Sequence, residues 1–256
     1  MIAGLRLAAG FLTILPVRPT GEISRPLARA AMLWGWLAVA PIAMAAAVLG
    51  WAGQSLGLPG FLAGMLVVGV VAWGTRAMHL DGLADTVDGL GSGRDGERAL
   101  EVMRRGDIGP MGVVALACVL MIQGAAFGAV LARPWGWLLV AATVMAARAA
   151  LALGCAASVP AARPDGLGAL FAGTVPRSAA LGLWAAMALL LSATTLLTGH
   201  PWWQGLLAAA VAVAAVQLLL ARCVQRFGGI TGDILGTLVE TATTALVLIS
   251  ALRILH

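Results

Sequence analysis

The chain has 256 residues, 61% of them hydrophobic and 11% charged, and its mean hydropathy is +0.97. Soluble domains are about half apolar and about a quarter charged, so this composition excludes an ordinary soluble protein and describes an integral membrane one. The net charge of +5 and the pI of ≈ 10.8 raise nucleic acid as a partner, but the arginines flank apolar runs and no soluble segment remains to dock on a duplex.

A hydrocarbon core about 30 Å thick takes roughly 20 apolar residues per helix. The first sixteen residues, ending at Leu15-Pro16, are apolar but short and carry Arg6. They read as a re-entrant or interfacial helix, without the small-residue cleavage site of a removable signal peptide. Runs at 30–51, 58–78, 111–132, 135–157, 178–198, 202–221 and 234–254 then predict an all-α, polytopic helical bundle of about seven transmembrane helices, one domain over 1–256. Cys118, Cys155 and Cys223 lie apart with no metal spacing and read as inert core residues.

Seven spans put 1–29, 79–110, 158–177 and 222–233 on one side, and 52–57, 133–134, 199–201 and the carboxyl terminus on the other. Every basic side chain is Arg, and only Arg133 and Arg253 fall on the second side; Arg18 and the rest lie on the first or near its end of a span. The positive-inside rule makes the first side cytoplasmic, in a bacterial inner membrane. The acids gather there too, although that rule says little about Asp and Glu, so their clustering predicts a cytoplasm-facing site built from the longer connections.

The stretch His79-Leu80-Asp81-Gly82-Leu83-Ala84-Asp85-Thr86-Val87-Asp88-Gly89 concentrates three of the chain's eleven acids. At i, i+4 and i+7, Asp81, Asp85 and Asp88 share one helix face, opposite Leu80, Leu83 and Val87. Stacked like charges repel, and a hard divalent cation held with substrate phosphates suits them; a solvated acidic loop is the plain alternative. His79 falls opposite the acids and is either catalytic or interfacial. Residues 95–105 then read as a short amphipathic helix on the membrane surface, with Leu100 and Met103 as its stripe. Arg98, Arg104 and Arg105 are phosphate candidates or anionic-lipid contacts, and Asp107 follows in a turn.

Arg163-Pro164-Asp165-Gly166 marks a turn, either a lid or a simple connection. Gly228, Gly229, Thr231, Gly232 and Asp233 precede the last span, where a glycine-rich helix start favours phosphate and Asp233 is otherwise an N-cap. Glu240 lies within apolar sequence and is a functional candidate by depth. Arg148, well inside the fourth span, is its natural opposite charge, whether as a plain buried pair or as a phosphate ligand.

These motifs in order, "HLDGLADTVDG", "RALEVMRRGDIGPMGVVAL", "ARPDGLGALF" and "GGITGDILG", together with "FLTILPV" at Phe11 to Val17, closely resemble the cobalamin synthase family, the adenosylcobinamide-GDP ribazoletransferases of late vitamin B12 synthesis. One departure is that the family pattern tends to carry a second acid shortly after the position of Glu240, where this chain has Thr243 and Thr244. The resemblance implies a Mg²⁺-dependent membrane transferase. The 3'-hydroxyl of α-ribazole, or of its 5'-phosphate, attacks the cobinamide-proximal phosphorus of adenosylcobinamide-GDP and expels GMP, giving adenosylcobalamin or its 5'-phosphate. On that reading Asp81, Asp85 and Asp88 hold Mg²⁺, and Asp107, Asp233 and Glu240 complete the metal site or supply a base. Arg98, Arg104, Arg105 and Arg148 are the first candidates for the diphosphate. The expected partners are the two substrates and membrane lipid, with no nucleic acid; association with a second copy or with neighbouring late-pathway enzymes is left open.

Two other readings compete. A CDP-alcohol phosphatidyltransferase carries DGxxARx8GxxxDxxxD, but Asp81-Gly82 is followed by Leu83, Ala84, Asp85 and Thr86, without the Ala-Arg pair. A secondary transporter would use Arg148 and Glu240 as midplane charges, yet the charges gather at one face.

Overall fold

The computed structural model describes residues 2–17 and 22–253; Arg18 lies outside the described residues. Among the described residues the chain is helical, with two isolated bridges, Ala156 to Val175 and Ala161 to Ile230, and no strand. In chain order the helices are α1 (Ile2–Leu12), α2 (Arg25–Ala38), α3 (Ala40–Ser55), α4 (Gly60–Gly74), α5 (Met78–Gly91), α6 (Glu97–Met103) and α7 (Pro110–Leu131). There follow α8 (Gly136–Ala147), α9 (Ala150–Gly154), α10 (Gly166–Phe171), α11 (Arg177–Leu197), α12 (Trp203–Phe227) and α13 (Gly232–Ala251). Six stretches are long and apolar enough to cross a membrane: α2 with α3, α7, α8 with α9, α11, α12 and α13. The chain is a multi-pass membrane bundle.

Two of these spans are broken for identifiable reasons. Pro41 near the start of α3 has no N–H to continue the ladder from α2, and the helix breaks at Val39. At Arg148 the backbone tightens to an i→i−3 bond, Arg148 N–H to the Met145 carbonyl at 3.1 Å, which separates α8 from α9.

The seventh crossing differs most from the sequence expectation of a span over 58–78. α4 has 15 residues, about 22 Å of helix against a core of about 30 Å. It starts beside the far end of α7, where Gly60 and Gly64 face Gly128 and Gly124 so closely that a Cβ on Gly64 would collide with the Gly124 carbonyl. Small residues four apart on both helices permit that approach. α5 in turn packs on the start of α7, with Gly112 against Ala84. α4 therefore leads from the far end of α7 towards its start, which α5 covers.

After α4 the chain bends by 92° into α5. Arg76 and Ala77 make the corner with φ of 57° and 54°, a conformation that costs a residue with a side chain about 1–2 kcal/mol. The Arg76 guanidinium offsets this by donating to the carbonyls of Gly10 at 3.1 Å and Phe11 at 2.9 Å, the open end of α1. Within the first sixteen residues α1 is thus a helix too short to span, which rests on α2 with Gly4 against Ala30 and anchors this corner. α5 is not a membrane span: it lies across the mouth of the bundle.

The other end is closed by side chains. Arg133 donates to the carbonyls of Ser250, Ala251 and Leu252, and Gln204 Nε2 donates to those of Ile249 at 2.8 Å and Leu252 at 2.9 Å. Together they satisfy carbonyls that the end of α13 leaves open. Cys155 and Cys223 are buried as expected, whereas Cys118 is exposed on the outward face of α7. Because Arg133 caps a helix remote from the acids, Arg133→Ala is expected to lower unfolding stability by about 1–3 kcal/mol without changing substrate KM. Thermal unfolding in detergent and steady-state kinetics check both halves.

Candidate active site

α5 presents Asp81, Asp85 and Asp88 outward and buries His79, Gly82, Leu83, Thr86 and Gly89. Its buried face lies on the start of α13. A Cβ on Gly82 would stand 2.5 Å from the Asp233 carbonyl oxygen and 2.8 Å from its Cα, so only glycine admits this contact. Thr237 Oγ1 bridges the two helices, reaching the carbonyls of Gly82 at 2.8 Å and Asp233 at 2.9 Å. Thr231 caps α13, its Oγ1 accepting the Ile234 N–H at 3.3 Å and donating to Asp233 Oδ2 at 3.1 Å. The acids of α5 and Asp233, about 150 residues apart in sequence, thereby share one place. Burial, then the charges of Asp81, Asp233 and Asp88, push the Asp85 carboxyl up to about 7. That crowding is what a cation would relieve.

Asp88 is committed differently from its expected metal role. Its Oδ2 accepts the Gly109 N–H at 2.7 Å and its Oδ1 the Gly112 N–H at 2.9 Å. Gly109 is the side-chain-less N-cap of α7, and Asp88 supplies the cap from outside, where the helix dipole favours an anion. Among the described residues no three His, Cys, Asp or Glu side chains converge as a ready-made metal cage. Asp81, Asp85 and Asp233 each keep at least one carboxylate oxygen without a hydrogen bond from the described residues, and one or two such carboxylates are what Mg²⁺ takes when phosphates and water complete its shell.

Two charged cavities flank this cluster. One, of ≈ 450 Å³, is lined by Asp85, Asp88, Arg94, Arg105 and Asp107; the other, of ≈ 300 Å³, by Arg104, Arg163, Asp165, Thr231 and Asp233. The adjacent Arg104 and Arg105 serve one cavity each. α6 is seven residues long and turns Leu100 and Met103 inward, Met103 against Gly89, so it docks on the bundle rather than on a membrane surface. Arg98 is exposed on α6 and lines neither cavity.

The turn read as either a lid or a simple connection is a seated wall. Arg163 Nη2 donates to the Leu100 carbonyl at 2.7 Å, and Ile230 exchanges backbone bonds with Pro160 at 2.9 Å and Ala162 at 3.0 Å. Gly229 is there because a Cβ would stand 2.5 Å from the Ala161 carbonyl carbon, and Gly228 because its φ of 81° ends α12 in the left-handed form. Neither glycine lines either charged cavity; of the expected phosphate loop, Thr231, Gly232 and Asp233 do.

The family model described as cobalamin-5-phosphate synthase matches residues 4–251. The chain belongs to the cobalamin-5-phosphate synthase family. It is 43% identical to a Nocardioides protein over 97% of this chain and 98% of that one. It is 39% identical to a Frankia casuarinae protein over 99% and 96%, and 38% identical to a Bradyrhizobium diazoefficiens protein over 98% and 94%. All three carry the name adenosylcobinamide-GDP ribazoletransferase. No solved structure matches the chain.

Within this cobalamin-5-phosphate synthase fold, Arg148 and Glu240 sit deeper than their expected roles require. Arg148 is 1% exposed and its Nη1 donates to its own helix at the Val144 carbonyl, 2.9 Å away. Glu240 instead accepts from Gln123 Nε2 at 2.8 Å, and the same amide nitrogen lies 3.0 Å from Thr244 Oγ1. Among the described residues the ion pair joins Arg226 and Asp95, not Arg148 and Glu240. Neither of the deep charges lines a charged cavity; Glu240 shares its own narrow space with Leu80 of α5.

The site residues that sequence reasoning passed over are Thr237 and Gln123, polar groups on apolar helices, and Arg94, Arg163 and Asp165 as cavity walls. Asp88 and Asp85 are expected to respond oppositely to amidation. Asp88→Asn leaves one α7 N–H without its acceptor and costs about 1–3 kcal/mol. Asp85 ionises less readily folded than unfolded, so its charge opposes folding increasingly as pH rises from 3.8 through about 7. Asp85→Asn is therefore expected to stabilise the metal-free protein at pH 8, on the order of 1 kcal/mol after discounting for solvent. Thermal unfolding of the two variants in chelator checks the signs; destabilisation by Asp85→Asn would contradict the crowded cluster.

Proposed function

We propose that the chain is an adenosylcobinamide-GDP ribazoletransferase acting at the cytoplasmic face of a bacterial inner membrane. The observation that carries this reading is the pair of arginine-bearing cavities, one lined by Asp85 of α5 and the other by Asp233 of α13, on two helices that touch at Gly82. Family membership and the names of the relatives supply the reaction. The arginines concentrated at the site's end of the bundle support the cytoplasmic orientation.

In this reading the 3'-oxygen of α-ribazole, or of its 5'-phosphate, forms a bond to the cobinamide-side phosphorus of adenosylcobinamide-GDP. The P–O bond to the guanylyl group breaks and GMP departs with that electron pair. A carboxylate of the cluster accepts the hydroxyl proton as the new bond forms. Arg104 and Arg163 on one side and Arg94 and Arg105 on the other hold the phosphates, where guanidinium forks give paired contacts. Held by Asp81, Asp85 and Asp233, Mg²⁺ would neutralise the charge gathering on the leaving phosphate. Asp88 positions the start of α7 and, through it, the Asp107 wall.

The two competing readings lose support on the same ground. The acids of α5 lack the Ala-Arg pair of the phosphatidyltransferase signature, and the transporter's midplane charges lie behind α5 rather than on an open path. Purified protein in nanodiscs is expected to release GMP only with Mg²⁺, adenosylcobinamide-GDP and α-ribazole all present. Asp81→Asn and Asp233→Asn are each expected to slow that release on the order of 10²-fold. GMP release without α-ribazole, or unchanged turnover of both variants at limiting Mg²⁺, would overturn the reading.

A further inference from the structure

A third, apolar cleft opens beside the ≈ 300 Å³ charged cavity and shares two of its walls, Leu167 and Gly232. Phe11 and Phe171 close one side with their rings edge to face, centroids 5.7 Å apart. His79 closes another. That histidine is 3% exposed and neither ring nitrogen has a hydrogen-bond partner among the described residues. Leaving such a group buried and unsatisfied costs about 1–3 kcal/mol, and native structures rarely keep one without a reason.

We propose that this cleft holds the aromatic base of the nucleoside substrate, with His79 hydrogen-bonded to a base nitrogen. The proposal rests on the transferase reading above and adds to it which substrate lies where. A benzimidazole is flat, apolar over both faces and edged by one nitrogen lone pair, and a neutral imidazole has one N–H to give it. Aromatic rings prefer edge-to-face or offset contacts of the kind the two phenylalanines already make. The free space of ≈ 50 Å³ is narrow, which fits a ring entering between side chains and excludes a corrinoid. Leu167, exposed at the shared wall, is the side chain that gives way.

With the base there, the ribose passes Leu167 and Gly232 into the cavity of Arg104, Thr231 and Asp233. The reacting hydroxyl is then brought to the carboxylate cluster, and adenosylcobinamide-GDP is left the larger cavity on the other side. The cleft thus selects the base while the charged cavities carry out the transfer.

Equilibrium dialysis of α-ribazole against the full chain in nanodiscs tests this directly. The wild type is expected to bind it. His79→Ala and Phe171→Ala are each expected to weaken binding at least about tenfold, with the KM for adenosylcobinamide-GDP unchanged. His79→Gln, which keeps an N–H, is expected to recover part of the loss. Hydrogen–deuterium exchange of the wild type needs no variant, and α-ribazole is expected to protect residues 9–12 and α10. No binding by the wild type, wild-type binding by both alanine variants, or protection confined to residues 92–109 would overturn the proposal. Failure of the transferase reading shows separately, as a wild type that releases no GMP with both substrates present.

Discussion

The contact between Gly82 of α5 and the backbone of Asp233 at the start of α13 is the constraint on which the site depends. A helix carrying three acids has no electrostatic reason to approach a fourth. It is held there by backbone packing through a residue with no side chain, and by the single Thr237 hydroxyl that reaches both helices. The repulsion is a consequence of packing that the rest of the bundle maintains. The cation and diphosphate of the proposed reaction would relieve that repulsion on binding.

Several features make sense as support for that contact. α4 is too short to reach the membrane surface, and its 92° corner turns α5 inward over the bundle mouth instead of letting it run on as a span. The corner's two left-handed residues are held by Arg76 on the end of α1, which gives the short first helix a task. Asp88 fixes the other end of α5 to α7. α13 is fixed along its length, with Thr231 capping its start and Arg133 and Gln204 its end. The two ends of one helix therefore differ, with the Asp233 carboxylate at a charged cavity at the first turn and anchorage at the last.

Much of this was legible in the sequence because it depends on local pattern. Apolar runs of the right length gave the spans, the Arg distribution gave the sides, and the i, i+4, i+7 spacing gave the common face of Asp81, Asp85 and Asp88. The joining of "HLDGLADTVDG" to "GGITGD" follows from the family resemblance, which implies one site for Asp81, Asp85, Asp88 and Asp233. What escaped were effects of tertiary packing on single residues. Nothing local distinguishes Asp88, an N-cap for a helix 21 residues on, from Asp85, which faces the cavity. Nothing local says that Gly228 and Gly229 serve a turn and a close backbone approach rather than a phosphate. Arg148 and Glu240 were matched as opposite charges, but in apolar surroundings each found a nearer neutral partner, Val144 and Gln123. The end of α4 is not legible because Thr75-Arg76-Ala77-Met78 contains no glycine or proline to stop a helix, and only the corner held by Arg76 ends it.

If the Gly82 contact is what assembles the site, a single methyl group there is enough to spoil it. GMP release by Gly82→Ala, set beside Gly69→Ala on the open lipid-facing side of α4, where a Cβ meets nothing within 4 Å, tests this most directly. The account predicts a folded Gly82→Ala protein slowed on the order of a hundredfold by misplaced carboxylates, with Gly69→Ala at the wild-type rate. A Gly82→Ala protein as active as the wild type would contradict it.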